Sequence, residues 1–166
     1  VDHMGNVVGG RPILYVNTPV EQIREITASV LASGRAVWFG ADCGQQSDRA
    51  SGLFVEGLYD YDNLFGVDFS TSKEQRVNTG ESAMNHAMLF TGVDIDEDGN
   101  ARRFRVENSW GEDHGDKGFF MMDAAWFDAN VFEVAVHVDD LPADLRAVIT
   151  EEPLHLPAWD PMGALA

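Results

Sequence analysis

The chain has 166 residues, 45% of them apolar, which suits a single folded core and excludes general disorder. Eleven Lys and Arg stand against 28 Asp and Glu, a formal net charge of −17. A field of that sign repels phosphate backbones and anionic lipid, so neither nucleic acid nor a membrane surface is the expected partner. No apolar run approaches the roughly 18 residues of a membrane span. The first residues lack the charged-then-apolar pattern of a secretory leader. The single cysteine, Cys43, permits no intrachain disulfide, and a reducing, cytoplasmic location is expected.

In chain order, Gly9-Gly10 precedes a short strand-like run to Tyr15. Thr18-Pro19-Val20-Glu21 predicts a helix start, with Thr18 as cap, Pro19 at the first helical position and Glu21 closing a capping box. Val20, Ile23, Thr27, Val30 and Leu31 then share one face, and Gly34 is placed to end the helix, which should span about Pro19 to Ser33 with Glu21, Arg24 and Glu25 in water. Ala36 to Gly40 reads as a buried strand. From Asp42 to Glu81 polar residues and glycines are scattered among aromatics, predicting a long, partly packed excursion with a short helix near Ser72 to Arg76. Ala87 to Ile95 and Ala101 to Glu107 are strands joined by Asp96-Glu97-Asp98-Gly99-Asn100, a hairpin. Gly118 to Met122 reads as a strand, Asp123 to Asn130 as a helix capped by Asp123, Val131 to Val138 as a half-buried strand, and Asp140 to Ile149 as a short helix. Pro153, Pro157 and Pro161 keep the tail extended. These elements predict an α+β fold, a helix packed on a twisted antiparallel, barrel-like sheet.

Asp94, Asp96 and Asp98 alternate before Gly99 like part of a calcium loop, but the twelfth position is Arg105 rather than Glu and the flanks are strands, so an acidic hairpin turn is the better reading. The five histidines, His3, His86, His114, His137 and His155, form no zinc spacing, and no metal or other cofactor is expected. Alone, His86 reads as a hydrogen-bonded structural residue. The hairpin changes this, because its turn brings the start of one strand beside the end of the other and so makes His86 and Asn108 neighbours. An imidazole held by an amide is fixed in one orientation and tautomer, ready to serve a nucleophile opposite. Trp110 is placed to shield the pair from water.

Asn85-His86-Ala87 followed by Glu107-Asn108-Ser109-Trp110-Gly111 resembles the histidine and asparagine motifs of papain-like cysteine peptidases. The longer run from Glu107 to Gly118 is similar to the bleomycin hydrolase and aminopeptidase C branch. So are Asn6 to Arg11, Ala36 to Gly40, and the ending Leu156 to Ala166. The matches run in order along nearly the whole chain and are weakest between Gly44 and Asn78.

The resemblance implies a cytoplasmic thiol aminopeptidase acting on peptides with free N-termini. In the papain-like fold a helical half carries the nucleophilic cysteine and a β-barrel half carries His and Asn. Carried over, His86 is the general base and Asn108 its orienting amide. Residues 1–152 would form the C-terminal, His/Asn half, and residues 153–166 a tail entering the active-site cleft. The Ala166 carboxylate would bind the substrate ammonium. The implied partners are the N-terminal half of the same enzyme and further copies in a hexamer. The glutamine-led Cys-Trp segment expected of the nucleophile does not occur here. Papain-type spacing places His roughly 130 residues or more after that cysteine, whereas 85 residues precede His86. Cys43 reads as a bystander, with Gln45 and Gln46 facing solvent. The alternative is a catalytically inert fragment or binding module.

Overall fold

The computed structural model describes residues 8–9, 15–157 and 160. Helix α1 (Val20–Ala32) leads into strand β1 (Val37–Ala41). The excursion contains β2 (Ser47–Asp48), β3 (Leu53–Phe54), α2 (Tyr61–Phe65) and α3 (Lys73–Thr79). The hairpin follows as β4 (His86–Ile95) and β5 (Ala101–Glu107), then β6 (Phe119–Asp123), α4 (Ala124–Asn130), β7 (Val131–Ala135) and α5 (Ala143–Val148), with a 3-10 turn over Val138–Asp140. The strands form one sheet in the order β2-β3-β6-β5-β4-β1-β7. The α+β class is as expected, with one correction. The sheet is mixed, because β3 runs parallel to β6 through Leu53↔Met121 and Phe54↔Met122.

α1 buries Ile26, Thr27, Ala28, Val30 and Leu31, while Val20 and Ile23 pack at its rim. The buried Thr27 hydroxyl is satisfied by the Ile23 carbonyl at 2.7 Å. Two local expectations fail. Pro19 takes the N-cap position without a side-chain cap, and Thr18 bonds instead to the Gln22 side chain. Arg24 is half-buried, because it pairs with Asp128 at 2.6 Å. Gly34 does end the helix, at φ +84°, with its N–H on the Leu31 carbonyl.

The core is an aromatic stack from elements distant in sequence. Phe39 of β1 lies 3.7 Å from Phe90 of β4, with Phe104 and Phe127 at 5.2 and 5.5 Å from Phe90. α4 begins where Asp123 accepts the Trp126 N–H at 2.7 Å.

The excursion is clamped to the end of α4, whose last carbonyls have no partner within the helix. The Lys73 ammonium donates to the Asp128 and Val131 carbonyls, and Arg76 donates to the Ala129 carbonyl at 2.7 Å. Ser72 caps α3 reciprocally with Gln75. Burial pushes the Lys73 amine down from 10.5 to about 8. Between those values the unfolded chain holds a proton there that the folded chain has released, so this group makes stability rise with pH through that window. The buried Cys43 thiol, pushed up chiefly by burial, acts in the opposite sense. We expect Lys73→Met to flatten the rise by on the order of 1 kcal/mol between pH 8 and 10, measured as the difference between urea melts of the two proteins.

Candidate active site

The hairpin places the site. β4 and β5 pair from Ile95↔Ala101 to Leu89↔Glu107, leaving His86 at the first residue of one strand and Asn108 just past the end of the other. Asp96 builds the turn, its carboxylate accepting the Asp98 and Asn100 N–H groups at 3.0 and 2.8 Å. Those donors hold its carboxyl below the usual range. Asp94 pairs with Arg102 at 3.0 Å. The alternating acids thus serve the turn and an ion pair. Among the described residues, no group of three or more His, Cys, Asp or Glu is placed to hold a metal ion.

The His86 Nε2 lies 2.9 Å from the Asn108 Oδ1. The same oxygen accepts the Ser109 N–H at 2.8 Å, which identifies that atom of the amide as the acceptor. The ring nitrogen facing it must therefore carry the proton. His86 is held as the Nε2–H tautomer, which leaves Nδ1 for a reacting group. Trp110 stacks on the imidazole at 5.0 Å and 19° between planes, and the Arg49 guanidinium lies 4.3 Å from the Trp110 ring centroid. Asn108 is buried, and its N–H donates to the Gly118 carbonyl at 3.0 Å. The loop that follows is drawn against the excursion where Gly115 meets Gly52. A Cβ on Gly115 would lie 2.4 Å from the Phe119 carbonyl oxygen and 3.1 Å from the Gly52 Cα, so only a bare backbone fits.

Beneath the start of β4 lies a network that sequence reasoning missed. Asp42, 4% exposed, accepts four hydrogen bonds. Ser82 and Gln45 donate to Oδ2 at 2.8 and 3.2 Å, and Asn85 and the Gly44 N–H to Oδ1 at 2.5 and 3.3 Å. Asn85 in turn accepts the Cys43 N–H at 3.1 Å. Gln45 and Gln46 are half-buried rather than solvent-facing, because Gln45 bonds to Asp42 and Gln46 accepts the Tyr59 N–H at 2.8 Å. Cys43 is buried in the core cluster, and its thiol is pushed up by burial and by the Asp42 carboxylate, the reverse of what an attacking thiolate needs. The one signal for Asp42 was its place just past β1, whose last residue, Ala41, pairs across the sheet with His86.

Residues 1–163 match the model of the Peptidase C1-like family. The chain belongs to that family. It is similar over its whole length to human bleomycin hydrolase, at 46% identity, and to aminopeptidase C of Lactobacillus helveticus, at 44%. In each case it spans 37% of the relative's length. The crystal structure of pepw from Lactobacillus rhamnosis superposes on 98% of the chain, and on 37% of its own, with a TM-score of 0.92 and 44% identity. The His86–Asn108 pair is thus set on a fold that a solved relative shares. Ala166, the expected substrate anchor, and most of the tail from 158 onward lie outside the described residues. Among the described residues no helix is long and apolar enough to cross a membrane.

Proposed function

We propose that this chain supplies the general base and its orienting amide to a cysteine-type aminopeptidase whose nucleophile lies on a segment outside these 166 residues. The observation that carries the reading is the His86 Nε2–H donated to Asn108 Oδ1 at 2.9 Å under Trp110. In this reaction Nδ1 of His86 takes the proton of the attacking thiol, and the thiolate adds to the substrate carbonyl carbon. The imidazolium then protonates the departing amine, leaving a thioester. Water, deprotonated at the same nitrogen, completes hydrolysis and restores the thiol. Asn108 keeps the ring in the required tautomer through both proton transfers.

The remaining parts of the proposal extend the family resemblance. The substrates are peptides with free N-termini, selected by charge pairing with the Ala166 carboxylate at the end of residues 153–166. The partners are the segment carrying the nucleophile and further copies of the enzyme, up to a hexamer, in the cytoplasm. Exposed Tyr61, Leu64, Phe65 and Phe69 on the excursion support association, since such side chains cost less covered than solvated. Deleting residues 163–166 from the assembled enzyme should weaken cleavage of free-amine substrates and admit N-blocked ones. Unchanged discrimination in that variant would move the anchor elsewhere.

Aminoacyl fluorogenic substrates test the central reading. The chain alone should not turn them over, and assembly with the nucleophile-bearing segment should produce hydrolysis that a thiol alkylator stops and Cys43→Ser leaves intact. Hydrolysis by the 166-residue chain that Cys43→Ser removes would relocate the nucleophile. An inert assembly favours the second reading, a binding module without chemistry.

A further inference from the structure

We infer that Asp42 is a positioning residue for His86, acting through Asn85; the inference rests on the peptidase reading for its catalytic consequence but not for its structural one. His86 is the first residue of β4, and a strand's first residue lacks a paired neighbour on one side. What holds it is the residue before. The Asn85 N–H donates to the Ala41 carbonyl at 3.1 Å. Its side chain spans two groups, donating to the Asp42 Oδ1 at 2.5 Å and accepting the Cys43 N–H at 3.1 Å. Ala41, on the same segment, is the cross-strand partner of His86. Asp42 is tied down from the other side as well, through its own N–H on the Asn130 carbonyl at 3.0 Å.

A buried carboxylate is costly to desolvate, and four donors on two oxygens offset that cost while leaving little freedom. An amide at this position offers one acceptor oxygen and turns a donor toward Ser82 and Gln45 or toward Asn85. The carboxylate therefore over-determines the backbone from which the imidazole projects, while Asn108 and Trp110 fix the ring itself. Met84, in the segment before His86, lays its side chain over Gly40 of β1, where a Cβ would fall 2.0 Å from the Met84 sulfur and would push that side chain aside.

The test reads the His86 tautomer in this chain by long-range 1H–15N correlation, which requires no catalysis. Wild type should show the Nε2–H form alone. Asp42→Asn should give a mixture of tautomers, and so should Asn85→Ala, which removes the link at an exposed residue and leaves the fold intact. Exchanging the two groups, Asp42→Asn with Asn85→Asp, restores a carboxylate facing an amide and should return the single form. In the assembled enzyme Asp42→Asn should lower kcat roughly tenfold or more with KM within about twofold, and the exchange should recover most of it. A single Nε2–H tautomer in Asn85→Ala, or a mixture in the exchanged variant, overturns the role. If the assembled wild-type enzyme cleaves nothing, the peptidase reading fails and the tautomer result still stands or falls by itself.

Discussion

His86→Ala in the proposed assembled peptidase is expected to lower kcat/KM by on the order of 10⁴-fold, because in the proposed cycle one nitrogen performs every proton transfer. The same change should cost the fold little. The imidazole is half-buried at a strand end, and its loss removes one hydrogen bond to Asn108 and one stacking contact with Trp110. Those are worth about 1 kcal/mol each. Asn108→Ala should reduce turnover less, by roughly ten- to a hundredfold, since Trp110 still holds the ring plane while the tautomer is released. Steady-state kinetics on active-site-titrated enzyme, with thermal melts of the same samples, separate the two effects. A His86→Ala enzyme that retains more than about a hundredth of wild-type kcat/KM would remove His86 from the reaction.

The largest loss of stability is expected from Phe90→Ala. Phe90 is fully buried and touches three other rings, Phe39, Phe104 and Phe127, which come from β1, β5 and α4. Truncation leaves a cavity bounded by rings that cannot collapse into it without breaking their own contacts, for a cost of about 3–5 kcal/mol. Against a total stability of about 5–15 kcal/mol, that lowers the melting temperature by roughly 10 °C or unfolds the chain. Phe65→Ala, on a side chain 62% exposed, should stay within about 0.5 kcal/mol. Urea melts of the two variants side by side measure the contrast. Equal losses would mean that the aromatic stack does not carry the core.

What the sequence made legible was local. Pro19 and Gly34 bracket α1, the 96–100 turn announces its hairpin, and Asp123 and Ser72 cap the helices that follow them. The neighbourhood of His86 and Asn108 follows from that hairpin alone. What stayed hidden was non-local. β2 and β3 are two residues each, too short for any periodicity, and β3 joins the main sheet through Met121 and Met122, far away in sequence. Lys73 and Arg76 lie in the short helix expected near Ser72 to Arg76, yet they find the end of α4 more than fifty positions away. Asp42 and Asn85 sit 43 residues apart and carry no shared motif. Thr18 shows the opposite failure, a correct local signal displaced by the proline next to it, which left its hydroxyl to Gln22.

The hairpin has a consequence for inheritance. The separation of His86 from Asn108 is set at the far end of the strands, by the turn over 96–100 and by irregularities in pairing between Phe90 and Gly92 and between Asp94 and Ile95. A strand that slips by one residue presents the opposite face. An insertion or deletion among those acids, where drift should be most tolerated, therefore acts as a gear on His86 at the other end. The two pairing irregularities are the clutch, able to absorb an added residue before it reaches His86. Length variation at the turn and the presence of these irregularities should accordingly change together among descendants of this sequence, and a variant that alters one without the other should lose the pair while keeping every residue of the site.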